Sequence, residues 1–132
     1  MNYNILIVDD DSLNLKLVSL ILSKNGFNIQ TASNGAEGLE ILKNSKTDFD
    51  LVISDILMPV MDGFEFYKEI QKDSKLNKIP FIFMSGAKTE EEVKENPIFN
   101  SVGFISKPFT SSNLINKINE FIQKDTRNLI TI

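Results

Sequence analysis

Short runs of β-type apolar residues alternate along this chain with segments whose apolar residues recur every three or four positions. That alternation predicts βα units wound around a parallel sheet. The strand-like runs are Ile5–Val8, Phe27–Ala32, Leu51–Ser54, Phe81–Met84 and Phe104–Ser106. Between them fall helical patterns: Leu13, Leu17, Leu20 and Ile21 after a capping Ser12; Ala36, Leu39 and Leu42; Phe64, Tyr67 and Ile70; then Leu114, Ile118, Phe121 and Ile122. Gly26 is a stop signal for the first helix. The fourth helix is the weak one. Thr89–Glu95 is polar and helix-friendly, but Pro97 removes a backbone donor and should break or restart it. The expected fold is α/β: a doubly wound five-stranded parallel sheet, order 2-1-3-4-5, with five flanking helices in a flavodoxin-like topology.

The 132 residues suit one domain, expected over 1–124, with 125–132 as a terminus or the first residues of a linker. A net charge of −4 offers no footprint for nucleic acid. No apolar run approaches the about 18 residues needed to span a bilayer, and the N-terminus lacks the features of a signal peptide. A soluble, cytoplasmic protein is expected. The chain has no Cys, which excludes disulfides and thiolate metal sites, and no His. It therefore cannot carry a phosphohistidine, and any phosphoryl donor must come from outside.

Acidic side chains close two of the strands: Asp9, Asp10 and Asp11 after the first, Asp55 after the third. In the expected order these strands are neighbours at the topological switch point, where such sheets bind ligands. Ser85 follows the fourth strand and Lys107 the fifth. Each residue has an ordinary reading alone. Asp9–Asp11 can cap a helix, Asp55 and Ser85 can be turn residues, and Lys107 can be solvated. Their conjunction is harder to explain by turn chemistry. Clustered carboxylates repel unless a cation neutralises them, and hard oxygens suit Mg²⁺ (or Mn²⁺). A carboxylate can accept a phosphoryl group as an acyl phosphate, a transfer that needs positioning and charge neutralisation above all.

Together these residues resemble the receiver domains of two-component response regulators over residues 4 to 123. The motifs are Ile7-Val8-Asp9-Asp10-Asp11, Ser54-Asp55-Ile56-Leu57-Met58-Pro59-Val60-Met61-Asp62-Gly63, Met84-Ser85-Gly86 and Lys107-Pro108-Phe109. The resemblance implies a signalling module, not a classical enzyme, with only weak autophosphorylation and autodephosphorylation. It implies that Asp55 is the phosphoacceptor. It further implies that Asp10, Asp55 and the backbone carbonyl of Leu57 bind the metal, with Asp9 acting through a water. Ser85 and Lys107 would meet the phosphoryl group, and Lys107–Pro108 would be cis. Asp11 would be a cap. Phe104 matches the family's switch aromatic, though it reads equally well as core, and Gly63 fits a turn entering the third helix. The implied partner is a sensor histidine kinase or a histidine phosphotransfer protein.

Three departures from the family pattern stand out: Pro97 within the fourth helix; Asn100-Ser101-Val102-Gly103 before Phe104; and no Arg from Asn113 to Lys124. The last makes the winged-helix regulators' dimer doubtful, while Asn100 could supply a left-handed helix end. Leu57 and Ala87 cannot orient an attacking water, so self-hydrolysis should not be specially fast. The enzyme rival, a haloacid-dehalogenase-type phosphatase, needs an Asp where Leu57 stands. A flavodoxin-like carrier lacks its phosphate loop, and a pseudo-receiver would have lost one of the site positions. The start at Met1 favours a stand-alone regulator or an N-terminal receiver over an internal receiver of a hybrid kinase, with an output domain open.

Overall fold

The computed structural model describes residues 2–130, with side chains through Ile122. The elements run β1 (Asn4–Val8), α1 (Ser12–Lys24), β2 (Asn28–Ala32), α2 (Gly35–Asn44), β3 (Leu51–Asp55), α3 (Gly63–Gln71), β4 (Phe81–Ser85), α4 (Glu90–Lys94), a 3₁₀ turn (Pro97–Phe99), β5 (Gly103–Ser106) and α5 (Ser111–Ile130). All strands are parallel, in the expected order β2-β1-β3-β4-β5. The segment 125–132, read as a tail or linker, falls where side chains are not described. Among the described residues no helix is long and apolar enough to cross a membrane.

The alternation of strand side chains splits the core in two. Leu6, Val8, Val52, Phe81, Phe83 and Phe104 face α2, α3 and the Phe99 turn. Ile5, Ile7, Leu51, Ile53, Ile82, Met84 and Ile105 face α1 and α5, meeting Val18, Leu22, Leu114, Ile118 and Ile122. Both faces are covered, so the central strands are continuously apolar.

Helix α1 departs from the sequence reading in the side it buries. Its N-cap is Asp11, as the family resemblance implies, with its carboxylate accepting from the amides of Leu13 and Asn14; Ser12, the cap suggested by the residue pattern alone, is the first helical residue. Its inward stripe is Leu15, Val18, Ile21 and Leu22, while Leu13, Leu17 and Leu20 are 76, 51 and 55 % exposed. The helix is apolar around most of its circumference, so periodicity alone could not select the buried side. Beyond it, Gly26 has φ +88°, with Gly26 N–H bonded to the carbonyl of Ser23 and Phe27 N–H to that of Leu22. That pair of bonds is a Schellman ending, which accounts for the glycine.

Pro97 acts as expected. A Thr89/Glu92 capping box opens α4, which closes after five residues, and Pro97 then starts the 3₁₀ turn where its missing N–H costs nothing. Asn100 ends that turn at φ −60°, right-handed, so the expected left-handed end is absent. The Lys94 ammonium instead donates to the carbonyls of Asn100 and Val102 at 2.8 and 2.6 Å.

Between β3 and α3, Val60 sits at φ +70° although 81 % exposed. Met61 N–H donates to the Pro59 carbonyl at 2.8 Å, closing a tight turn around it, and Gly35 N–H holds the Met61 carbonyl. A β-branched residue pays about 1–2 kcal/mol at such φ, while glycine's added unfolded-state entropy costs about 0.5–1 kcal/mol. Val60→Gly should therefore stabilise the domain by roughly 0.5–1 kcal/mol in urea unfolding, since no burial is lost. A clear destabilisation would show that the turn is not strained.

Candidate phosphoryl-accepting site

Parallel strands end on one edge, so the last residues of β3 and β4 and those just past β1 and β5 converge there. Asp9 is fully buried although charged, and its partners explain how. Its Oδ1 accepts from Asp11 N–H at 3.0 Å, and its Oδ2 from the Asn14 carboxamide at 2.6 Å and the Lys107 ammonium at 3.2 Å. Lys107 also donates to Asp55 Oδ2 at 2.9 Å, bridging carboxylates from β1 and β3. Ile56 N–H holds Asp55 Oδ1 at 2.7 Å. Lys107 is itself fixed by its N–H bond to the Ser85 carbonyl, and the peptide before Pro108 is cis, as expected.

One ammonium faces two carboxylates here, with the exposed Asp10 beside them. Burial pushes the Asp55 carboxyl above its ordinary value of 3.8, outweighing the Lys107 hydrogen bond and charge that pull it down; Asp9 adds to the rise. For Lys107, burial works against the ammonium, but the bonds and charges of Asp55 and Asp9 together prevail and raise its pKa. The pair is held together within a site that carries excess negative charge. Asp9, Asp10 and Asp55 each offer a carboxylate oxygen, all within 4.8 Å of one another. Three hard anionic oxygens with one exposed member fit a small divalent cation that keeps part of its water shell.

Ser85 is buried, and its Oγ accepts from the amides of Ala87 and Lys88 at 3.1 and 3.0 Å. Phe104 is 5 % exposed and packs inward, in register with Phe83. The Leu57 side chain is exposed at the rim. Gly63 is needed for a reason other than turn freedom. A Cβ there would strike the Asp55 carbonyl oxygen and come within 2.8 Å of Ile56 Cα, and Gly63 N–H already bonds the Ile56 carbonyl at 2.7 Å. Asn14, not read from the sequence as a site residue, is the addition the structure makes. It stands in the first turn of α1, five residues past Asp9, where a polar side chain among leucines was the available signal. A separate cavity of about 530 Å³ at Tyr67, Phe81, Gly103 and Phe121 reaches Phe104 but includes none of Asp9, Asp10, Asp55, Ser85 or Lys107 in its lining.

The model of the family described as "Response regulator receiver domain" matches residues 5–119. The chain belongs to that family. The receiver is 36 % identical over 124 residues to chemotaxis protein CheY-3 of Vibrio cholerae, covering 93 % of this chain and 94 % of that protein. It is 35 % identical over 128 residues to "Probable transcriptional regulator ycf29" of Porphyra purpurea, covering 97 % of this chain but only 60 % of that relative's length. The solved structure of Vibrio cholerae CheY4 superposes with a TM-score of 0.83 at 30 % identity, covering 92 % of this chain and 99 % of that one. A receiver is a signalling domain, and the phosphatase alternative finds no support.

Proposed function

We propose that Asp55 accepts a phosphoryl group from a phosphohistidine on a partner protein. The observation that carries this reading is the Lys107 ammonium bridging Asp55 at 2.9 Å and buried Asp9 at 3.2 Å. Ile56 N–H anchors Oδ1, so Oδ2 on the Lys107 side is placed to attack phosphorus. The P–N bond of the donor breaks, the imidazole leaves, and an acyl phosphate forms on Asp55. Lys107 then turns its charge to the phosphoryl oxygens. Asp10, Asp55 and the Leu57 carbonyl would hold Mg²⁺ (Mn²⁺ suits the same oxygens), with Asp9 acting through a water. When bound, the cation neutralises charge that develops on the phosphoryl oxygens. Ser85 would give up its turn amides to bond the phosphoryl group, while Phe104, already inward, stabilises that arrangement from below.

Beryllofluoride with Mg²⁺ tests this reading. The amides of Ile56, Ala87 and Lys88 should shift in ¹H–¹⁵N spectra of the wild type and stay still in Asp55→Ala. A silent wild type, or an unchanged response in Asp55→Ala, would overturn it.

These 132 residues contain no His, so the phosphohistidine lies outside them, on a histidine kinase or phosphotransfer module in the cytoplasm. The exposed Leu13, Leu17 and Leu20 form a stripe that begins beside Asp10, and we assign the donor to that face. Leu17→Asp should slow uptake from the partner about tenfold, the loss expected for a central interface residue. Uptake from a small acyl phosphate should stay unchanged; equal losses with both donors would remove the docking assignment.

A further inference from the structure

Asp9 is the one fully buried carboxylate of the site, and its Oδ2 is shared between two donors of unequal commitment. Asn14 approaches at 2.6 Å and Lys107 at 3.2 Å. Lys107 has a second carboxylate, Asp55, at 2.9 Å, and the phosphoryl-transfer reading has it leave for the incoming group. Asn14 comes from the first turn of α1, whose N-cap Asp11 also supplies the amide on Asp9 Oδ1. Helix α1 thus grips both oxygens of Asp9 independently of Lys107. The carboxamide nitrogen also lies 3.8 Å from the Met84 sulfur, which closes the apolar side.

We propose that Asn14 is a positioning residue: its carboxamide fixes the Asp9 carboxylate toward the cation and keeps that buried charge hydrogen-bonded when Lys107 moves away. The inference rests on the reading of Asp9, Asp10 and Asp55 as a divalent-cation site. Without a second donor, the departure of Lys107 would strand a desolvated carboxylate with a single amide, and the transfer would carry that cost. With Asn14 in place, Asp9 keeps one orientation whether Lys107 is near or far. Asn14 does not touch the reacting atoms. Its effect passes through Asp9, as with groups that orient ligands around a metal.

Magnesium titration by calorimetry, with no phosphoryl donor present, tests the role. Asn14→Leu, close to isosteric but without a donor, should weaken Mg²⁺ binding about tenfold, and Asn14→Gln should recover most of it. The Mg²⁺ concentration that half-saturates phosphoryl uptake should rise in parallel, while the rate at saturating Mg²⁺ changes little. A packing role predicts the reverse order, with leucine tolerated and glutamine harmful. If Asn14→Leu does not fold by circular dichroism, Asn14→Ala carries the same comparison. Wild-type protein that takes no Mg²⁺ contradicts the cation-site reading itself. Wild-type binding with unchanged affinity in the donor-less variant leaves that reading standing and overturns the role of Asn14.

Discussion

Gly63→Ala is expected to cost the domain about 3 kcal/mol, the upper end of the usual range for overpacking. The added methyl meets backbone, not a side chain that can swing away: the Asp55 carbonyl oxygen and Ile56 Cα at 2.8 Å. Relief requires moving α3 or the end of β3, and the latter carries Asp55. Such a loss is a large fraction of the about 5–15 kcal/mol that holds a typical domain folded. Urea unfolding should show a midpoint shifted well down with the slope unchanged, and the surviving folded fraction should accept phosphoryl groups poorly. A variant within about 0.5 kcal/mol of wild type, the range of an ordinary surface change, would mean that β3 and α3 are not in the contact described.

Lys107→Met should slow phosphoryl uptake from a small donor by about 10²–10³-fold, the usual cost of losing one charge-stabilising group. It should also cost on the order of 1–3 kcal/mol, because buried Asp9 loses a partner. The lower end applies, since the lysine side chain is 22 % exposed and water screens the pair. The raised Lys107 pKa means that its contribution is fully present below the ordinary value of 10.5 and is lost only as pH rises through the higher folded value. Neutral pH is therefore flat for this group. Asp55 runs the other way. Its folded pKa is raised by burial, so the native site takes a proton more readily than the unfolded chain, and acidification relieves the crowded charges. A protonated carboxyl is no nucleophile, so in a pH series at low Mg²⁺, uptake should fall off above 3.8 as the medium is acidified. A fall at or below that value would contradict the account of the site's charge.

Most of the site was legible because strand ends are easy to place. Once Leu51–Ser54 reads as buried strand, Asp55 must stand at its end, and Ser85 and Lys107 follow by the same reasoning. The effect of Pro97 was legible too, since a missing N–H has one structural meaning. What escaped were features decided by tertiary contact. The side of α1 that is buried depends on how the helix lies against β1 and β2, and a helix apolar nearly all round does not declare it. The Asp11 cap, by contrast, was implied by the family resemblance, and it prevails over Ser12 because its carboxylate reaches two amides at once. Gly63 signals a turn in sequence, whereas its structural reason is a backbone crossing visible only in three dimensions. Val60 carries no local hint of a positive φ, since β-branched residues normally avoid it. Asn14 acquires its importance from Asp9, five residues away and otherwise buried.

The central claim is tested most directly by intact-mass spectrometry after incubation with Mg²⁺ and a small acyl phosphate. The wild type should gain the mass of one phosphoryl group, on a linkage labile to base and hydroxylamine as an acyl phosphate is, and Asp55→Ala should gain none. No incorporation into folded wild-type protein, or incorporation that persists in Asp55→Ala, would contradict the account.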